Sequence, residues 1–327
     1  MKVAVVGCGA VGSYYGARLA VAGHDVHFLL RSDYDHVRRH GVFIESREGN
    51  FRAHPNCAIR PAEIGPSELV LIGLKTTANH CYPDLLPPLV DSGSAVLTLQ
   101  NGLGNEEQLA RLFPPDQILG GLCFVCLNRI SPGVVRHLDY GLIVMGEFSG
   151  LATARTRSLV EQFSNAGIPC RLTVDLRRAH WEKLIWNVPF NGLGVAATAG
   201  YEAVMGGALG EAAPLGKCLP TDVLLDDPKW AALVRELMLE VVRVACAKGM
   251  DLPEELADKQ IARTRTMGSY RASTLIDFER GFPLELEGIF IEPLKQARDA
   301  GVPTPRLESL CAVLKAISQR AGRSSAA

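Results

Sequence analysis

Two groups of residues have types and spacings suited to chemistry. The first is Gly7-Cys8-Gly9-Ala10-Val11-Gly12. In this GxGxxG pattern the glycines suit, in turn, a tight turn, a close backbone approach to a pyrophosphate and close packing of a helix on a strand. A phosphate held there rests on N–H groups at the positive end of a helix and needs no basic side chain. Arg31 and Ser32 follow about twenty residues later, where an NAD site usually carries Asp or Glu for the ribose 2′-hydroxyl. A guanidinium can grip a 2′-phosphate with a bidentate fork and the serine adds a donor, so NADP(H) is expected over NAD. The plain alternative is a solvated surface arginine. The second group is Lys183, Asn187 and Asn191, each four residues after the last. On a straight helix they share one face, while Trp181, Leu184, Ile185 and Val188 anchor the other sides. A buried amide or ammonium without a partner is costly, so this stripe either meets a ligand or faces water. Pro189 removes one backbone bond and is expected to kink the axis, which loosens the alignment of Asn191 with Lys183.

The elements that must position these residues change character along the chain. Val3 to Val6 read as a strand, an apolar-periodic helix follows the glycines, and a second strand covers 25–30. Further strands are expected near 42–45, 51–54, 68–74, 94–99 and 117–125, separated by helical stretches. Apolar, β-branched runs with helices between them imply a parallel sheet covered on both faces. From about residue 175 the strands stop and helices are expected at 228–248, 253–266, 288–300 and 305–320, with 324–327 as a frayed tail. Asp227 caps the first of these, Pro228 suits its first turn and Gly249 ends it. The fold class is therefore α/β: a Rossmann-type, doubly wound parallel sheet over 1–174, followed by an all-helical domain over 175–327. Ligands of such sheets bind beyond the carboxyl ends of strands, which singles out Lys75 and Gln100-Asn101. The lysine could meet a phosphate, a ribose or a carboxylate, and the asparagine a ribose or nicotinamide; either could equally be a strand-end group in water.

Composition narrows the class. The chain has 327 residues, 47% hydrophobic and 21% charged, with a formal charge of −1, so nothing favours nucleic acid or an anionic membrane as a partner. No apolar run approaches the roughly 20 residues of a membrane span, and the cytoplasm is the expected location. The nine cysteines are scattered and odd in number, as expected of reduced thiols. Cys123 and Cys126 are nominally CxxC, yet on a strand they point to opposite faces and read as core filler. The eight histidines form no metal-ligand spacing, so no metal is expected. The stretch 210–218 looks like a phosphate loop only superficially, being one residue too long and having Cys218 in place of a hydroxyl. A homo-oligomer is left open.

Taken together, the motifs resemble those of the ketopantoate reductase family, the 2-dehydropantoate 2-reductases. The likeness covers nearly the whole chain through Gly7 to Gly12, Leu99-Gln-Asn-Gly-Leu-Gly-Asn-Glu-Glu107, Lys183-Leu-Ile-Trp-Asn187 and Leu284-Glu-Leu-Glu287. The resemblance implies an N-terminal Rossmann domain and a helical C-terminal domain that reduce ketopantoate, a small 2-oxo acid, with NADPH in pantothenate biosynthesis. It makes Lys183 the proton donor and Asn187, Asn191 and Ser273 substrate contacts. It sets Glu285 at the cofactor and the substrate hydroxyl, Lys75 and Asn101 at the cofactor, and Cys126 near the nicotinamide. Hydride transfer to a 2-oxo carbon builds negative charge on the carbonyl oxygen, which an ammonium stabilises and then protonates. Three departures fall toward the substrate: Tyr201 stands nearest an expected asparagine, 206–226 reads as extra sequence, and Gly288-Ile289 follow where many members have Asn-Gly. Two other readings stay open, a reductase of another branched or opine-like 2-oxo acid and a non-catalytic NADP-binding sensor. Retention of Lys183 with Glu285 counts against the sensor.

Overall fold

The computed structural model of the protein describes residues 1–210 and 213–325. Glu211 and Ala212, within the stretch that resembled a phosphate loop, and Ala326 and Ala327 of the expected tail lie outside the described residues. Two separately compact units are present, Met1–Ala179 and His180–Ala327, and the division falls inside the helix Leu176–Ala196.

The N-terminal unit opens with β1 (Lys2–Val6), helix α1 (Ala10–Val21) and β2 (Asp25–Leu29). Next come β3 (Val42–Ser46), β4 (Phe51–Ala53), β5 (Asn56–Ala58), β6 (Leu69–Ile72) and β7 (Ala95–Thr98). The unit closes with β8 (Ile118–Ser131), β9 (Val134–Glu147) and β10 (Cys170–Leu172). They form one sheet in the order β4-β3-β9-β8-β7-β6-β1-β2-β5, with β10 beside β9. β7, β6, β1, β2 and β5 run parallel. Successive residues of β1 bury into opposite clusters, Val3 and Val5 with Tyr15 and Phe28, Ala4 and Val6 with Val70 and Ile72. Burial on both faces is why these strands are apolar without a break.

Beyond this Rossmann-type core the sheet is mixed, where parallel strands throughout were expected. β8 extends past residue 125 to Ser131 and turns through Pro132 and Gly133 into β9, and a two-residue link can join only antiparallel neighbours. The sheet also curls. β4 and β5 sit at opposite ends of the strand order, yet only His54 and Pro55 separate them, a reach of at most about 11 Å between Cα atoms. The curl wraps α1, which touches β1, β2, β3, β4, β8 and β9. Tyr14 and Tyr15 are accordingly buried, and the Tyr15 hydroxyl donates to the Gly141 carbonyl of β9 at 3.2 Å.

The C-terminal unit is helical. Asp227 caps Pro228–Ala247 by accepting from the N–H groups of Lys229 (2.8 Å) and Trp230 (3.4 Å), as its position predicts. The expected helix at 253–266 forms as Glu255–Arg265, and the last helix runs on from 320 to Ser325. Its first amides are held by buried Glu240, whose carboxylate accepts from Arg306 N (2.9 Å) and Leu307 N (2.8 Å). The expected helix at 288–300 is instead a π-turn, Glu287–Ile291, followed by Glu292–Asp299. The 206–226 stretch ends in a short helix, Thr221–Asp226, and is tied back by Gly216 N to Thr198 O (2.7 Å) and Leu219 N to Gly194 O (3.0 Å). Among the described residues no helix is long and apolar enough to cross a membrane.

Candidate active site

In the N-terminal unit the expected cofactor residues gather at one edge of the sheet. β7, β6, β1 and β2 are parallel neighbours, so Asn101, Lys75, the glycine loop and Arg31 all follow the carboxyl ends of adjacent strands. The three glycines are constrained in three different ways. Gly7 has φ +92°, and a Cβ there would stand 2.3 Å from the backbone nitrogen of Leu74. A Cβ on Gly12 would stand 2.3 Å from the Gly7 carbonyl oxygen. Gly9 is extended (φ −76°, ψ −154°) and caps α1 without a side-chain bond, and a Cβ there would meet nothing within 4 Å. Neither conformation nor packing within the chain asks for glycine at 9. The space beside Gly9 is open to a group approaching from outside, and the first-turn amides of α1, with no acidic residue among them, suit an anion. Ala10 and Val11 supply two of those amides. Cys8 contributes only backbone: its Sγ lies 3.5 Å from the Val5 and Leu29 carbonyls, and burial pushes its thiol pKa well up.

After β2, Arg31 is exposed, as a phosphate-gripping or a solvated arginine would be. Ser32 differs from expectation, because its hydroxyl donates to Asp33 Oδ1 at 3.1 Å. Asp33 is buried and clasped by Arg129 of β8, with Nε to Oδ2 at 3.2 Å and Nη2 to Oδ1 at 2.5 Å. Burial alone would raise its pKa, but the Arg129 bonds and charge, Ser32 and the Gly133 N–H outweigh that and hold it below the usual carboxylate value. The carboxylate nearest Arg31 in sequence is thus neutralised within the protein. Asp33 and Arg129 lie 96 residues apart, and sequence reasoning found neither.

Lys75 is exposed at the start of the turn Thr76–Cys81, and Asn101 is half-buried. Gln100 points inward. Its Nε2 donates to Asn79 Oδ1 (2.7 Å), and its Oε1 accepts from Thr98 Oγ1 (2.9 Å) and from the Tyr82 hydroxyl. Asn79 Nδ2 donates to Asn105 Oδ1 (3.0 Å), and Asn105 Nδ2 to the Asn101 carbonyl (3.3 Å). Of these, Gln100 and Asn101 stood out in the sequence by their place after a strand, and Asn105 only as part of the family motif 99–107. Cys126 is buried on β8, while Cys123, on the opposite face, packs against the core beneath α1.

In the C-terminal unit the expected substrate residues meet. The helix Leu176–Ala196 continues through Pro189 as one element and buries Trp181, Leu184, Ile185 and Val188 to 1% exposure or less. Its polar stripe survives: Lys183 is half-buried, and Asn187 and Asn191 are buried. Asn191 Nδ2 lies 3.5 Å from Asn187 Oδ1, and Asn191 Oδ1 accepts from Thr274 N (3.0 Å) and Ser273 Oγ (3.3 Å). Asn187, Asn191 and Ser273 therefore form one polar run, joining the long helix to the start of Ser273–Glu279. Glu285 is buried two residues before the π-turn, a widening that often marks a functional site. Trp186, on the same helix, packs its ring at a tilt against Phe190 (5.0 Å) and Tyr270 (5.9 Å) and donates to Thr264 Oγ1 (2.9 Å). Tyr201, nearest the missing asparagine, instead packs edge-on against Trp230 at 5.1 Å.

Comparison with known proteins covers both units. The family described as Ketopantoate reductase PanE/ApbA matches residues 3–150, and its C-terminal counterpart matches residues 207–318. A 2-dehydropantoate 2-reductase of a Nostoc species is 39% identical over 326 residues, 98% of this chain and 96% of that protein. One from Halobacterium salinarum is 31% identical over 98% of this chain and 100% of its own length. The crystal structure of 2-dehydropantoate 2-reductase from Geobacter metallireducens superposes with a TM-score of 0.89 at 43% identity, covering 97% of this chain and 99% of that one.

Proposed function

The chain belongs to the ketopantoate reductase family, and from that premise we propose that it reduces 2-dehydropantoate to pantoate with NADPH, in the cytoplasm, as a step of pantothenate biosynthesis. The observation that carries the reading is the run Asn187, Asn191 and Ser273: two asparagines on the Lys183 helix, which is otherwise packed into apolar surroundings, and a serine brought to them from Ser273–Glu279. A nicotinamide cofactor, when bound, supplies hydride to the 2-oxo carbon. Gly7, Gly9 and Gly12 with the first amides of α1 hold its pyrophosphate, and Lys75 and Asn101 bind from the ends of β6 and β7. Arg31 takes the 2′-phosphate; the preference for NADP over NAD is supported by its place after β2, where no acidic residue stands, and by Arg129 neutralising Asp33. Cys126 lines the nicotinamide side.

Lys183 is the general acid. Its ammonium stabilises negative charge that develops on the carbonyl oxygen and gives that oxygen its proton. Asn187, Asn191 and Ser273 orient the 2-oxo acid by neutral hydrogen bonds, and Glu285 accepts from the hydroxyl that forms. The Asn191 carbonyl is already occupied by Ser273 and Thr274, so its rotamer is set before substrate arrives. The test is NADPH oxidation with ketopantoate beside a panel of other branched and opine-forming 2-oxo acids. Ketopantoate is expected to have the highest kcat/KM. A better substrate elsewhere in the panel overturns the assignment, and no turnover with any of them returns the protein to a binding role.

A further inference from the structure

Behind the segments that carry Lys75 and Asn101, the buried side chains of Tyr82, Thr98, Gln100, Asn79 and Asn105 form one continuous series of hydrogen bonds. Its polarity is fixed from one end. The Asn101 carbonyl can only accept, so Asn105 must offer it Nδ2 and keep Oδ1 for Asn79. Asn79 then donates through Nδ2 and accepts through Oδ1 from Gln100 Nε2. Gln100 Oε1 is left to take the protons of Thr98 and Tyr82. Reversing any one amide sets donor against donor or acceptor against acceptor. The series joins two segments that follow neighbouring strands: Asn79 lies on the turn that begins after Lys75, and Gln100 and Asn105 bracket residues 101–104, which are neither helix nor strand.

We propose that Asn79, Gln100 and Asn105 are positioning residues for the dinucleotide, fixing where Lys75 and the Asn101 peptide stand relative to each other. The proposal rests on the reading of Lys75 and Asn101 as cofactor residues. Apolar packing would hold the two segments together, but directional bonds also fix their separation and rotation.

The experiment is Asn79→Asp in the full chain, with NADP+ binding followed by calorimetry. An ionised aspartate has the shape of asparagine but only accepts, so it faces Asn105 Oδ1 without a proton. A buried carboxyl is readily protonated as pH falls, and the neutral acid again accepts with one oxygen and donates with the other. Relative to the parent protein at the same pH, the Kd for NADP+ is expected to rise about tenfold or more near about pH 8 and to return toward the parent near about pH 5.5. His80 and Glu106 lie beside the series in both proteins and Tyr82 belongs to it, so each Kd is compared with the parent at the same pH. A lowered unfolding midpoint with a Kd ratio near one at both pH values overturns the proposal. Gln100→Glu carries the same logic one bond along and serves if the first variant does not fold. Tyr82→Phe is expected to weaken binding several-fold less than Asn79→Asp, because Thr98 still donates to Gln100 Oε1. Lys75→Ala and Asn101→Ala form a separate arm. If neither weakens NADP+ binding, the cofactor reading of these segments falls. If they do and the two carboxylate variants do not, the positioning role alone falls.

Discussion

Adding one methyl group at each of the three loop glycines is expected to give three distinguishable results. At Gly7 alanine must adopt φ +92° and place its Cβ 2.3 Å from Leu74 N and 2.6 Å from Gly73 C, all backbone. Left-handed φ costs about 1–2 kcal/mol and forced backbone movement about 1–3 kcal/mol, so Gly7→Ala loses roughly 2–5 kcal/mol of stability. Gly12→Ala meets the Gly7 carbonyl oxygen at 2.3 Å, but alanine gains about 1 kcal/mol in a helix. Its net loss is about 0–2 kcal/mol. Gly9→Ala meets nothing. The loss of a tolerated helix cap, about 0.5–1 kcal/mol, is offset by the smaller entropy of the unfolded alanine chain, about 0.4–1 kcal/mol. Its fold should be unchanged to within about 0.5 kcal/mol. Its cofactor binding should not be, because the methyl occupies the approach of the pyrophosphate. Losing one charge-assisted bond of about 1.5–3 kcal/mol weakens NADP(H) by roughly 10- to 150-fold. Urea unfolding measures the first quantity and titration of intrinsic fluorescence with NADPH the second. A Gly9→Ala protein that binds NADPH within about twofold of the parent refutes the reasoning, since binding energy scales as RT ln Kd and no approach would then be blocked.

Further expectations concern the rest of the site. Lys183→Ala should lower kcat by about 10²–10⁴ while NADPH binding stays within about twofold, and near-normal turnover would dismiss Lys183 as the acid. Arg31→Ala should weaken NADP(H) by about tenfold or more and leave NAD(H) nearly unaffected; equal losses for both would remove the 2′-phosphate assignment. Arg129→Ala should destabilise the N-terminal unit by about 1–3 kcal/mol at neutral pH, discounted for the partial exposure of the arginine. Because the folded pKa of Asp33 lies below its unfolded value, the pair contributes fully above about pH 5 and is lost as pH falls through the depressed value. The gap between parent and variant in urea should therefore narrow below about pH 4, and a gap independent of pH counts against the pairing as its source.

The glycine loop and the lysine–asparagine stripe were legible in the sequence because each rests on local spacing, three to four residues along one turn or one helix. What stayed hidden depends on distant partners. β9 carries Arg136, His137 and Asp139 and buries only part of its length, so it shows little alternation; its pairing with β8 supplies the order that its composition lacks. Ser273 became a candidate only through family resemblance, and its place beside Asn191 spans 82 residues. Ser32 was expected to face a phosphate because Arg129, which organises Asp33 beside it, is 96 residues from that aspartate. Asn79 was not singled out in the sequence and Asn105 entered only as part of the family motif 99–107, since what distinguishes them is burial together rather than sequence.

The curl of the sheet around α1 also bears on how the N-terminal unit breathes. A surface helix ordinarily exchanges its amide hydrogens through local fraying, at a small fraction of the global unfolding free energy. α1 touches six strands, and the sheet that surrounds it is fastened end to end through His54 and Pro55. Releasing the middle of the helix requires the jacket to open, so its amides have no shallow route to deuterium and should exchange with the unit as a whole. The first turn, proposed to hold the phosphate of the cofactor, is then anchored to the most slowly exchanging part of the protein.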